Sequence, residues 1–333
     1  MIIHTKAHAR AGLIGNPSDG YFGKTISFII RNFAAEVTCY ESPRVNIIPG
    51  HRDHLEFDTR KALVEDVSLN GYYGGIRLIK ATIKAFSDYC DANQIELENK
   101  NFTLEYQTNV PVRVGLAGSS AIITATMRAL MAFYDVEIHK PELPNLILSV
   151  ETKELGIGAG LQDRVVQVYE GTVFMDFDRD LLEDRGYGTY LDVDSTKLPP
   201  LYVAFHDNLS EGTEIFHNDL RSRFERGEPA VVDGMKQFAA FAQDSFDLIR
   251  DGRGTEIGPL MDANFDLRAS LSRISEGNYR LVNAGRKFGA NVKFAGSGGA
   301  VVGVYDGDPD RLQKIKQEYE SMGAIILSPQ IEP

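Results

Sequence analysis

The sequence predicts an α+β fold in two domains. Strands and helices mix without a steady βαβ alternation, which argues against a doubly wound parallel sheet. The chain has 333 residues, beyond the roughly 250–300 at which a single core usually divides. A polar stretch over residues 178–200 ends in Pro199 and Pro200, just ahead of a fresh apolar strand, and such punctuation suits a boundary. The expected domains are residues 1–197 and 198–333.

The elements follow in order. Apolar runs at 26–30 and 35–40 read as short strands, and 42–49, with Pro43 and Pro49, as a loop. Gly71, Gly74 and Gly75 mark a break over 70–75. Ile76, Ile79, Ile83 and Phe86 recur at spacings of three and four, which predicts a helix over 76–92. Residues 102–106 alternate and predict a strand. Residues 115–120 are small and read as a loop, with a helix over 121–134. A further helix covers 145–154, Gly156, Gly158 and Gly160 interrupt it, and helix resumes over 161–169 before a strand at 171–177. In the second half, 201–205 is a strand and 230–249 and 274–288 are helices. Short strands at 292–294 and 300–305 flank a glycine cluster, and 310–322 is the last helix.

Composition narrows the function classes. The chain is 43% hydrophobic and 25% charged, an ordinary globular balance. Its formal charge is −12, from 47 acidic and 35 basic residues. That opposes a non-specific nucleic-acid binder or a protein bound to an anionic membrane, since phosphates and acidic lipids attract basic surfaces. Cys39 and Cys90 form no CxxC or Cys/His ligand pattern, so reduced thiols are expected and a structural zinc is not. The first residues lack a basic segment followed by a long apolar core. No apolar run approaches the ~20 residues of a membrane span. A cytoplasmic location is expected; a homodimer is left open.

Three glycine-rich segments carry the chemistry. The most informative runs from Pro111 to Ala121 and includes Gly115, Leu116, Ala117, Gly118, Ser119 and Ser120. It follows a strand and opens a helix. Backbone N–H groups in a helix's first turn lack internal partners, and the dipole adds positive charge there. Glycines let a phosphate chain approach, and serine hydroxyls can bind phosphate or magnesium, so the segment is a candidate anion cradle. It is neither a Walker A loop nor GxGxxG, and its bland reading is a helix N-cap.

The first segment, Arg10 to Gly23, runs from a strand into a loop of Gly, Asn, Pro and Ser. It is either a surface turn or a small-ligand site where Arg10, Asp19 and Tyr21 offer a cation, an acceptor and an aromatic hydroxyl. Between the second and third segments, Glu151 lies on one helix and Asp163 opens the next. Phosphoryl transfer needs such a pair, one oxygen ligand for magnesium and one acceptor beside the nucleophilic hydroxyl. The bland alternative is a helix cap and a solvated surface glutamate. The third segment, Lys293 to Val302, whose Gly296 to Val302 part is glycine-rich, is either a tight hairpin or a second loop that steadies the first cradle.

Taken in this order over most of the chain, the three segments resemble those of the GHMP kinases, the family of galactokinase, homoserine kinase, mevalonate kinase and phosphomevalonate kinase. Further resembling stretches are Gly15 to Asp19, Gly71 to Gly75, Gly160 to Val165 and Phe294 to Val302. The resemblance implies an N-terminal domain of the ribosomal protein S5 domain 2-like type and a ferredoxin-like C-terminal domain. It implies ATP as co-substrate, magnesium as cofactor and a small sugar or sugar acid as acceptor, with D-glucuronate first and a sugar 1-phosphate as product. Galactose, arabinose, a heptose phosphate or a non-sugar alcohol such as homoserine or mevalonate remain alternative acceptors, and a non-catalytic metabolite sensor is a third reading.

The resemblance also assigns roles. Asp163 is the implied catalytic base and Arg10 the cation beside the γ-phosphate. Residues 115–121 are the implied nucleotide cradle. Glu151 and Ser119 or Ser120, preferably Ser120, are the implied magnesium ligands. Asp19, Tyr21 and Gly298 are the implied substrate contacts. Ala117 stands where many members have glycine, a mild departure unless the position needs a positive φ. Arg113 and Arg268 are candidate partners for a substrate carboxylate.

Overall fold

The computed structural model describes residues 1–51, 53, 57–64, 74–206 and 220–332. Most of the expected break at 70–75, and with it Gly71 to Tyr73, lies outside them.

The first sheet is organised around one long hairpin. β1 (Ile2–Ile14) lies antiparallel to β2 (Lys24–Ser42), from Ile2 opposite Tyr40 to Ile14 opposite Ile26. The two short strands expected at 26–30 and 35–40 are halves of this single 19-residue strand. Between them the register slips, His8 facing Ala34 and Ala9 facing Ile30. Arg31, Asn32 and Phe33 break the alternation, and the irregularity absorbs them without ending the strand.

The other edge of β2 is shared. β4 (Asn101–Thr108) pairs with its second half, and β5 (Thr172–Asp176) with its first. β3 (Asn46–Ile48) adds a parallel strand on β4, where a loop was expected. Its prolines, Pro43 and Pro49, flank the strand and so cost it no ladder hydrogen bond. β6 (Thr189–Val193) adds to β5.

The polar stretch at 178–200 carries regular structure. It holds α5 (Arg179–Arg185) and then β6. The Asp178 side chain caps that helix, accepting from the N–H groups of Asp180 at 3.0 Å and Leu181 at 3.2 Å. Polarity there reflected a capped surface helix.

Upstream of α5 lie α1 (Gly75–Ala92), α2 (Gly118–Tyr134), α3 (Leu143–Ser149) and α4 (Gln162–Tyr169). α2 begins three residues before the expected start, so Gly118, Ser119 and Ser120 form its first turn. The helix expected over 145–154 finishes as a π-helical turn, Val150–Glu154. Leu78 and Phe86 of α1, Ile123 and Leu130 of α2 and Ile147 of α3 pack with Val37 and Leu104 in one buried cluster.

The second sheet has the order β10-β7-β9-β8 and is antiparallel throughout. Its strands are β7 (Leu201–Phe205), β8 (Asn291–Phe294), β9 (Ala300–Val304) and β10 (Ile325–Leu327). α6 (Pro229–Arg250), α7 (Gly258–Leu271) and α8 (Glu276–Arg286) connect β7 to β8, and α9 (Pro309–Ser321) connects β9 to β10. This is the ferredoxin-like order that the resemblance implied.

α7 was not anticipated, for a physical reason. Its buried residues are Gly258, Met261, Asn264, Phe265, Arg268 and Leu271. Asn264 and Arg268 are polar and Gly258 has no side chain, which breaks the apolar period by which a buried helix is read. A shared apolar cluster joins the two sheets, with Leu13, Ile26 and Phe28 from the first and Val203, Phe205 and Val302 from the second. Both free cysteines are buried. Among the described residues no helix is long and apolar enough to cross a membrane.

Candidate active site

Arg10 is the centre of the site. It lies on the buried part of β1, its residue 5% exposed. Its Nε donates to Asp163 Oδ1 at 2.6 Å, and its Nη1 donates to the carbonyl oxygens of Gly115 at 2.6 Å and Ala295 at 3.1 Å. One planar guanidinium thus joins β1, the second and third glycine-rich segments and the start of α4. A buried charge needs such partners, because an unpaired cation loses its hydration without return.

The second segment folds as a tight turn into the first turn of α2. Gly115 has φ +75°, and a Cβ there would meet the Gly298 carbonyl at 3.0 Å and the Ser297 nitrogen at 3.1 Å. Gly296 is pressed as closely against the Gly115 carbonyl and Arg10. The second and third segments therefore touch backbone to backbone, which favours the steadying loop over an isolated hairpin. Leu116 anchors the cradle by burying its side chain in the core shared by the sheets.

Ala117 is the N-cap of α2 with φ +62° and ψ +41°. The departure from glycine is thus less mild than expected, since the position is left-handed and costs an L-residue roughly 1–2 kcal/mol. Its carbonyl accepts from the Gln167 side chain at 3.1 Å, from Ser120 Oγ at 3.1 Å and from the Ala121 N–H at 3.1 Å. The Ala121 N–H is therefore spent inside the helix. The N–H groups of Gly118, Ser119 and Ser120 belong to the first turn, which has no partners within a helix.

Asp163 sits in the first turn of α4, with its side chain 19% exposed. Asp19, on the short 3-10 turn Ser18–Tyr21, reaches the same place. It lies against Gly160 and accepts weakly from the Gln162 N–H at 3.4 Å. Lost hydration, then the neighbouring Asp163 charge, push its carboxyl up to about 6 against the pull of Arg10 and Arg164. The structure thus brings Arg10, Asp163, Asp19 and the cradle together.

Other expected residues lie differently. Glu151 is buried and paired with Arg164, which also donates to the Gly160 carbonyl at 2.9 Å and approaches Asp163 at 3.4 Å. The bland expectation of a solvated glutamate fails. The Tyr21 ring packs on Phe224, centroids 4.9 Å apart, in an apolar cluster with Val231 and Phe238. Gly298 turns its carbonyl toward Gly115. Arg268, a candidate carboxylate partner, is 4% exposed and donates to the carbonyls of Gly296 at 2.8 Å and Ser297 at 2.7 Å. It props the third loop. Arg113 is exposed, with φ +61°.

Sequence reasoning missed the supports. Asn278 accepts from the Gly299 N–H at 2.9 Å. Gln167 holds the Ala117 carbonyl, and its spacing of four from Asp163 on one helix was the available signal.

Comparisons with known proteins agree with this geometry. The family model described as GHMP kinases N terminal domain matches residues 77–171, which include the cradle and Asp163. The protein called probable glucuronokinase 2 of Arabidopsis thaliana is 40% identical over 339 residues, covering 100% of this chain and 92% of the relative. Glucuronokinase 1 of the same plant is 38% identical, covering 99% and 92%. The crystal structure of Lactococcus lactis galactokinase complexed with galactose superposes with a TM-score of 0.76 at 15% identity, covering 99% of this chain and 93% of that one. With such identity sustained from end to end, and the family's segments folded into one cradle around Arg10, the chain belongs to the GHMP kinase family.

Proposed function

We propose that the chain transfers the γ-phosphoryl group of ATP to the anomeric hydroxyl of D-glucuronate, with magnesium, to give glucuronate 1-phosphate and ADP. The Arg10–Asp163 pair at the foot of the cradle carries the reading, because it sets a proton acceptor and a fixed cation side by side. The relatives named glucuronokinase favour the acceptor.

Asp163 orients the acceptor hydroxyl and takes its proton as the oxygen bonds to the γ-phosphorus and the bond to the β-γ bridging oxygen breaks. Arg10 balances charge gathering on the phosphoryl oxygens. The first-turn N–H groups of Gly118, Ser119 and Ser120 hold the phosphate chain, and Asp19 accepts from a sugar hydroxyl. Tyr21 and Gly298 remain secondary candidates for the acceptor side.

Glu151 and Ser120 are hard oxygen donors of the kind magnesium takes, and Arg164 holds the buried Glu151 carboxylate. No group of three or more His, Cys, Asp or Glu side chains forms a metal cage among the described residues. Magnesium commonly takes one or two protein ligands, with phosphates and water completing the shell. Bound there, it would neutralise charge shared by the β- and γ-phosphates. The domain boundary near residue 197 remains part of this reading, falling between β6 and β7.

The test is ADP release against a panel of sugars, sugar acids and non-sugar alcohols. The reading expects turnover on glucuronate. Turnover confined to another acceptor contradicts the substrate, and ATP binding without turnover favours a sensor.

A further inference from the structure

Lys293 on β8 is 1% exposed. Its ammonium donates to the Gly12 carbonyl at 2.8 Å, Asn16 Oδ1 at 2.6 Å and the Phe294 carbonyl at 2.6 Å. All three partners are acceptors and neutral, and no carboxylate pairs with Lys293 among the described residues. An ammonium has three N–H donors and a neutral amine two. Three acceptors match the three donors of the ammonium, while burial without a counter-charge works against that form.

The bonds run to meaningful places. Gly12 is two residues beyond Arg10 on β1, and Asn16 leads into the turn that carries Asp19. The Gly12 N–H also donates to Ala295, at 2.7 Å, and Arg10 shares that carbonyl. Lys293 thus closes a lattice in which residues 293–295 grip β1 just past Arg10.

We infer that Lys293 is a positioning residue of the transfer site, which fastens the Gly12–Asn16 segment to β8 and thereby keeps Arg10 on Asp163 and Gly115. The inference rests on the kinase reading for its kinetic consequence but not for its structural one. Around Lys293 the charged groups are Arg10 from β1 and Arg268 from α7, and these, after burial itself, hold its ammonium well below the usual lysine range. β9 brings no titratable side chain. Asp19 is faced by Asp163 and Arg164 from α4 and by Arg10 from β1. Withdrawal of Arg10 would remove a cation that lowers the Asp19 titration.

The test is Lys293→Met, read in two ways. Carboxyl-labelled aspartate, followed by NMR and assigned with Asp19→Asn, should show Asp19 titrating higher than in the wild type, by about half a unit or more. With glucuronate and ATP, kcat should fall about tenfold or more, because small misplacements of a reacting group are expensive. KM for ATP should stay within about threefold, since the cradle N–H groups are untouched. An unchanged Asp19 titration and kcat, with a change only in thermal stability, overturns the inference. If Lys293→Met does not fold, Asn16→Ala decides. It keeps the lysine and two of its bonds and should move both readouts in the same directions by less, and wild-type values in it also overturn the inference. Wild-type enzyme inert on glucuronate would refute the kinase reading, while the Asp19 titration still decides the role of Lys293.

Discussion

Asp19 and Asp163 are two carboxylates brought to one place, and only Asp163 has the full contact with Arg10. The consequence falls on Asp19, whose carboxyl is pushed up to about 6. In the proposed role, ionised Asp19 accepts a sugar hydroxyl, so kcat/KM for the acceptor should fall as pH drops through about 6, and Asp19→Asn should flatten that limb while raising the acceptor KM. Stability has the opposite sign. A carboxyl raised in the folded state favours folding while it is protonated, and that contribution is lost as pH rises through the folded value. Asp19→Asn should therefore melt at a higher temperature than wild type at pH 7.5 and show less difference at pH 5. A variant with an unaltered pH profile would show that Asp19 does not govern acceptor binding. Both aspartates were legible as single residues in glycine-rich sequence. Their proximity was not, because 143 positions separate Asp19 from the Gln162 N–H that meets it.

The cradle makes two predictions at the level of the element. Ala117 holds a left-handed N-cap that glycine adopts freely. Ala117→Gly should relieve strain and, after the extra unfolded-chain entropy, stabilise by up to about 1 kcal/mol, read as a small rise in melting temperature with turnover retained. A fall in melting temperature would show that the strain is absent. Gly115→Ala should act oppositely, because its φ is +75° and the new Cβ meets the Gly298 carbonyl. It should cost about 1–3 kcal/mol and raise KM for ATP several-fold by separating the two loops. An unaffected ATP KM would dissociate loop contact from nucleotide binding. The helix entry was visible in sequence because small residues preceded an apolar helix. The positive φ at Ala117 was invisible because nothing in the residue type signals it. α7 was hidden by Asn264 and Arg268, the polar members of its buried face, and both are tied to glycine-rich segments. Asn264 accepts from the Gly15 N–H at 2.7 Å and Arg268 holds Gly296 and Ser297. A helix that sends polar side chains inward to hold loops has an apolar stripe too narrow to read.

Across the whole molecule, the site exists because both halves of the chain contribute to it. Arg10 and Ala295, 285 positions apart, share a hydrogen bond, and Leu13 and Val302 share a core. The α+β class and the order of segments could be read from the sequence, and the resemblance implied that Arg10, Asp163 and the second segment meet; the bonds by which one guanidinium also takes in Ala295 could not, since they depend on how two sheets pack. The central claim is that Asp163, held by Arg10 beside the α2 entrance, takes the proton of the acceptor hydroxyl. Its most direct test is single-turnover transfer from ATP to glucuronate by Asp163→Asn, alongside ATP affinity by calorimetry. Transfer should fall by about 10²–10⁴-fold with ATP affinity within about threefold of wild type. Transfer at the wild-type rate in that variant would contradict it.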